Sequence, residues 1–354
     1  MNRSQFLRNL LGAMATLPLA NSVWAKPATD PQTKMVIPPY LQPGDTIGIT
    51  CPASPLGLKE LMHCINALKA WGFQVQLGQT IGQHWERFGG TDTNRAADLQ
   101  AMLNNPSIKA ILFARGGYGT MRMMDAVDWS GFQKNPKWLV GYSDITALHC
   151  HVQSLLGIPT LHADMANGFE IREDVSSLSL KNALIGKPIN YTGPLHSLNR
   201  AGQSTGKLVG GNLSLIVSLL GSKSALQTEG KILLIEEVSE YKYTLDRMMT
   251  TLRRSGALDN IAGLIIGGLT ATKPDGEEPF PMSVEEIVFE KVANKNYPVC
   301  FNFSAGHIKN NLALKLGVPY QFSVTGTSVS LSEGQPLPAP VSIPIVTDSV
   351  QVQA

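Results

Sequence analysis

The chain has 354 residues, of which 43% are hydrophobic and 16% charged, a globular composition long enough to favour two domains over one. Its formal net charge is only +2, which argues against a nucleic-acid partner. Arg3 and Arg8 precede the apolar stretch Leu10 to Ala20, and Val23-Trp24-Ala25 places small residues where a signal peptidase cuts. Residues 1–25 therefore read as an export signal cleaved near Ala25, leaving equal numbers of acids and bases and implying a periplasmic product. Ser4 stands where a twin-arginine signal would carry its second arginine, so general secretion is favoured. The apolar stretch is too short to cross a bilayer and no later segment is long enough, so no stable membrane insertion is expected. Cys51, Cys64, Cys150 and Cys300 have no metal-ligand spacing, and no metal or cofactor is expected. The apolar flanks of Cys51 and Cys300 suggest buried free thiols, although export would permit a disulfide.

Residues 26–38, rich in Pro and Thr, read as a linker. Strands are then expected over 46–51, 73–77, 110–114 and 138–140, with helices over 58–71, 94–104, 121–127 and from Ile145 to Leu156. This alternation predicts a parallel sheet covered on both faces, with ligands at the carboxyl ends of its strands. An N-terminal domain is expected over 39–175. From 176 to 205 the periodicity fades and Ser, Asn, Gly and Pro accumulate, so a domain linker is expected there. A second, smaller α/β domain follows over 206–335. Its strands are expected over 231–235, 261–266 and 298–303, and its helices at 213–220, 243–252 and 284–292. The stretch from Pro336 reads as a loose tail.

Ser143 lies where the apolar run Trp138 to Val140 turns, through Gly141, into the helix begun by Asp144 and Thr146. Unpaired N–H groups at such a turn favour developing negative charge, which suits a nucleophilic serine as well as a simple helix cap. Ile145 excludes the G-x-S-x-G elbow. Arg115-Gly-Gly-Tyr-Gly119 also follows a strand. It lacks the Lys-Ser/Thr of a phosphate loop, but could present a Gly116 or Gly117 N–H to an oxyanion, with the Asp144 N–H as second donor. Of seven histidines, His307 follows a strand and the small-residue turn Ser304-Ala-Gly. Glu236 and Glu237 end a strand, and alternation turns one inward and one outward.

From Leu41 to Pro319 the chain resembles the LD-carboxypeptidase family of serine peptidases, the murein tetrapeptide carboxypeptidases and their microcin C self-immunity relatives. The matching stretches are Pro43-Gly-Asp-Thr-Ile-Gly48, Gly90-Thr-Asp-Thr-Asn-Arg-Ala-Ala-Asp98, Arg115-Gly-Gly-Tyr-Gly119, Gly141-Tyr-Ser-Asp-Ile-Thr-Ala-Leu-His149, Gly210-Gly-Asn-Leu-Ser214, Glu236-Glu-Val-Ser-Glu240 and Gly306-His307, in that order. The resemblance implies a flavodoxin-like N-terminal domain, a C-terminal α/β domain and an active site between them. It implies Ser143 as nucleophile, His307 as general base and Glu236, rather than Glu237, as the carboxylate that orients it.

The implied substrate is a murein tetrapeptide or muropeptide that loses its terminal D-alanine, with Arg115 or the glycine turn holding the free carboxylate. A homodimer is the assembly the family implies. His162-Ala-Asp-Met165 departs from the family's His-Gly-Pro-Met, and Asn311 to Gly317 lacks its usual proline. The first departure bears on substrate choice. Two other readings are a microcin-immunity-like serine amidase, which the export signal disfavours, and a non-catalytic periplasmic muropeptide-binding protein, which the intact Ser143, Glu236 and His307 disfavour.

Overall fold

The computed structural model describes residues 35–170, 174–270, 272–274 and 279–334. The expected export signal, most of the linker that follows it and the tail from Pro336 lie outside the described residues. In chain order the first half comprises β1 (Thr46–Thr50), α1 (Leu58–Ala70), β2 (Gln74–Leu77), α2 (Asp92–Asn104), β3 (Ile108–Phe113), the short α3 (Thr120–Met123) and α4 (Ser130–Lys134), β4 (Trp138–Gly141), α5 (Thr146–Leu156) and β5 (Thr160–His162). The second half comprises α6 (Val175–Leu184), β6 (Asn190–Gly193), β7 (Gly202–Asn212), α7 (Leu213–Ser218), β8 (Ile232–Val238), α8 (Lys242–Arg254), β9 (Gly263–Thr270), α9 (Val284–Val292), β10 (Val299–Cys300), β11 (Leu314–Leu316), β12 (Pro319–Val324) and β13 (Val329–Glu333).

Two sheets result. The first runs β11-β5-β4-β3-β1-β2, with β1 to β5 parallel in the flavodoxin-like order and β11 antiparallel at one edge. The second runs β10-β9-β8-β7-β12-β13-β6, parallel from β10 to β7 and antiparallel beyond. Continuous apolar runs such as Ile232 to Ile235 are buried throughout, as strands covered on both faces require. β7 serves two partners. Its polar first half pairs antiparallel with β12 and its apolar second half pairs parallel with β8.

One face of the first sheet packs on α1 and α6, around Leu61, Leu68, Leu180 and Leu184. The other face shares a core with the second sheet, including Leu148 and Val152 of α5 and Leu245, Met249 and Leu252 of α8. The stretch expected to be a linker holds α6, β6 and the start of β7. Helix α6 is legible in hindsight from its capping box, in which Asp174 Oδ1 accepts from the Ser177 N–H at 2.8 Å and the Ser177 hydroxyl reaches back to the Asp174 N–H. Its serines 176, 177 and 179 are buried, which hides the helical face from an apolar count. Two further expectations need correction. The expected helix 121–127 is α3 followed by a 3₁₀ turn at Met124–Ala126, and the strand expected over 298–303 is regular only at Val299–Cys300. All four cysteines are buried free thiols. Among the described residues no helix is long and apolar enough to cross a membrane, and no cluster of His, Cys, Asp or Glu could hold a metal.

Arg95 on α2 gathers the loops at the carboxyl ends of the first sheet. Fully buried, it pairs with Asp92 and donates to the carbonyls of Pro52, Gly119 (2.8 Å) and Gly90 (3.2 Å). Arg95→Met would leave those buried acceptors unpaired at a cost of about 3 kcal/mol. Urea unfolding is the check, and a loss below about 1 kcal/mol would show that Arg95 does not hold these loops.

Candidate functional site

Strand β4 ends at Gly141, and two residues later Ser143 takes φ +60°. A non-glycine residue held there stores about 1–3 kcal/mol of strain, which surrounding contacts must fix. Those contacts are visible. Gly141 has no room for a side chain, since a methyl group would lie 2.9 Å from Ile145. The His149 ring, buried on α5, reaches back to the Gly141 carbonyl at 2.9 Å. Burial lowers its pKa to about 4, so it is neutral and donates through Nε2–H. The Ile145 N–H donates to the Tyr142 carbonyl at 3.2 Å.

The glycine turn after β3 passes against this serine. A methyl group on Gly116 would sit 3.3 Å from Ser143 Oγ, and one on Gly117, whose φ is +109°, would collide with Ser54 Oγ. Asp144 joins the two turns through its side chain. Its buried carboxylate accepts the Thr120 N–H at 2.9 Å, at the start of α3. Burial raises its pKa, opposed by Thr120 and by the positive field of Arg95. This latch was not legible in the sequence, where Asp144 figured as a cap and as a backbone donor. Arg115 is exposed and forms no ion pair among the described residues.

The second sheet supplies the other two groups. Glu236, fully buried on β8, accepts from His307 Nδ1 at 2.7 Å. His307 sits on the turn after β10, which crosses β9 where Gly267 has no side chain to strike the Ala305 carbonyl. Gly268 N–H donates to that carbonyl at 2.9 Å, and Thr270 Oγ1 donates to the His307 carbonyl at 2.9 Å. Gly306, at φ +93°, lies so close to Glu236 that a methyl group would stand 2.5 Å from Oε2.

The His307 ring packs against Tyr142, the neighbour of Ser143, with centroids 4.9 Å apart. His307 thus lies between Glu236 and Tyr142, the residue before Ser143. Ser143 Oγ has no hydrogen-bond partner among the described residues, and such contacts often tighten only when substrate binds. The halves also meet where Thr146 Oγ1 accepts the Asn212 N–H at 2.9 Å.

Glu237 corrects the simple inward–outward expectation, because both faces of β8 are covered. Glu237 is also buried. It accepts from Asn212 Nδ2 (3.0 Å), the Ser214 N–H (2.8 Å) and the Val238 N–H (2.9 Å), so it holds the start of α7 and does not touch His307.

For His307, burial favours the neutral ring. The hydrogen bond and charge of Glu236, with the field of Glu237 behind them, outweigh it and raise the pKa above 6.5. Without the Glu236 carboxylate, burial would be opposed only by the weaker field of Glu237. In Glu236→Gln the His307 midpoint, followed by proton NMR, should therefore fall below 6.5; an unchanged midpoint would mean that Glu236 does not set this ring's charge.

Two family models match the chain, the LD-carboxypeptidase N-terminal domain at residues 47–163 and the LD-carboxypeptidase C-terminal domain at 205–322. Among curated proteins the chain is 34% identical to the "Probable murein peptide carboxypeptidase" of Bacillus subtilis, over 79% of this chain and 89% of that protein. It is 28% identical to the murein tetrapeptide carboxypeptidase of Pseudomonas aeruginosa, over 77% and 91%. Among solved structures it resembles the muramoyltetrapeptide carboxypeptidase of Oxalobacter formigenes, with TM-score 0.75, 23% identity and coverage of 82% and 99%, a likeness of fold.

Proposed function

The chain belongs to the LD-carboxypeptidase family, and we propose that it is a serine carboxypeptidase that removes the terminal D-alanine from murein tetrapeptides. The observation that carries the reading is the buried Glu236–His307 pair, at 2.7 Å, packed through Tyr142 against the positive-φ turn of Ser143.

In this reading His307 Nε2 takes the Ser143 proton as Oγ attacks the carbonyl of the L-centre that precedes D-alanine. Glu236 keeps Nδ1 protonated, so that Nε2 is the basic nitrogen, and stabilises the imidazolium that forms. The oxyanion is held by a Gly116 or Gly117 N–H and the Asp144 N–H, each donor being worth about 10²-fold in rate. His307 then delivers its proton to the departing amine, and water, activated by the same ring, releases the acyl group. No step calls on a metal or a cofactor. Arg115, without an ion pair among the described residues, or a backbone nest in the glycine turn holds the free carboxylate of D-alanine.

The charged residues and apolar stretch of residues 1–25 support an exported, periplasmic protein that meets murein or its fragments directly. The assembly implied by the family is a homodimer, which sedimentation of the purified protein at working concentration would test; a monomer throughout would remove it.

The test of the activity is mass spectrometry of protein recovered from the periplasmic fraction and incubated with a disaccharide-tetrapeptide. The recovered chain should begin near Lys26, and the muropeptide should lose one alanine. Ser143→Ala should abolish the loss, Glu236→Gln should slow it about 10³-fold or more, and Glu237→Gln should leave it within a few-fold. A full-length chain confined to the cytoplasm would remove the export reading. Undiminished alanine release by Ser143→Ala would remove the nucleophile, and a severe Glu237→Gln beside a mild Glu236→Gln would reverse the two carboxylates.

A further inference from the structure

Asp164, two residues beyond His162 at the end of β5, is a half-buried carboxylate with no cation partner among the described residues. Asn311 Nδ2 donates to its Oδ1 at 2.8 Å. The same Asn311 side chain accepts the Gly306 N–H on Oδ1 at 2.8 Å. Asn311 is itself fixed, because its backbone N–H donates to Ser176 Oγ at 3.0 Å and the Ser176 hydroxyl reaches the Lys309 carbonyl at 3.3 Å. A continuous line of contacts therefore runs from Asp164 through Asn311 to Gly306, the residue before His307.

The chemistry of the amide gives this line a direction. Gly306 N–H is a donor, so Asn311 must turn its oxygen toward it, and its NH₂ is left facing residue 164. Only an acceptor at that position satisfies it. A side chain without an oxygen at position 164 would leave that NH₂ without this partner. Gly306 also lies close to Glu236, since a methyl group added to it would stand 2.5 Å from Oε2. A small rotation of Asn311 would thus pass into the turn that carries His307.

We propose that Asp164 is a positioning residue, acting through Asn311 to hold the Gly306–His307 turn so that the imidazole stays aligned with Glu236. The proposal rests on the reading of His307 as the general base. The environment of Asp164 agrees with it. Burial, with Asp174 adding to it, raises the carboxyl to about 6 against the hydrogen bonds from Asn311 and Ser176. A carboxylate kept there against that cost needs its donor, the Asn311 amide.

The experiment compares Asp164→Ala with Asp164→Asn. Both remove the charge, but only asparagine keeps an oxygen for Asn311. The His307 midpoint is followed by proton NMR, and kcat and KM are measured on the tetrapeptide. Asp164→Ala should lower the midpoint by about half a pH unit, as the Glu236 contact loosens. It should lower kcat about tenfold with KM within about twofold. Asp164→Asn should match the wild type in all three. If alanine does not fold, Asp164→Leu keeps the volume without the acceptor and replaces it.

Equal shifts in the alanine and asparagine variants would reduce Asp164 to a distant charge and overturn the proposal. So would no change in either variant, or an effect confined to KM, which would mean direct contact with substrate. If wild-type protein releases no alanine, the tetrapeptide reading fails on that result, while the NMR comparison still decides the role of Asp164.

Discussion

A carboxylate taken wholly out of water must be matched, and Glu236 is matched by His307. The contact is 2.7 Å long and Glu236 has no exposed surface. Much of the second half of the chain can be understood as what this contact demands. Strand β8 must lie at the centre of a covered sheet to bury the acid. Gly267 must lack a side chain so that the base-bearing turn can cross β9, and Gly306 must lack one so that the turn can approach the carboxylate. The Oε1 atom of Glu236 has no partner within the described residues, so the His307 contact is the main compensation for burying the group.

The first half solves a different problem, which is to hold a serine in a backbone conformation it would not adopt freely. Gly141, the neutral His149 and the Ile145 amide fix Ser143 from its own segment. Asp144 then ties this turn to the start of α3, just after the glycine turn, and Arg95 ties the glycine turn to the neighbouring loops. The two halves are brought into register by contacts that are not catalytic: Thr146 with Asn212, and Asn311 with Asp164. Strand β11 adds another, pairing with β5 at the edge of the first sheet although it comes late in the chain.

The central parallel strands were legible because strands buried on both faces carry continuous apolar runs, as at Ala110–Phe113 and Ile232–Ile235. Strands β6 and β11 to β13 were not. They are short and antiparallel, and they mix polar with apolar residues, so they resemble loop sequence until their partners are known. Helix α6 was hidden because buried serines stand where leucines would have marked its inner face. Within the site, Ser143, His307 and the glycine turn were findable because each follows a strand and lies beside small residues. The choice between Glu236 and Glu237 could not come from alternation, since both faces of β8 are covered and the second acid is occupied with Asn212 and Ser214. The side-chain role of Asp144 and the contact of Asp164 with Asn311 depend on pairings between residues 24 and 147 positions apart, which no local pattern encodes.

The central claim is that one strained serine is activated by a base held on the opposite sheet. Labelling with a fluorophosphonate, followed by peptide mapping, tests it most directly. The account predicts a single adduct on Ser143, absent in Ser143→Ala and formed far more slowly in His307→Ala and Glu236→Gln. An adduct on another residue, or equal labelling rates in the His307 and Glu236 variants, would contradict it.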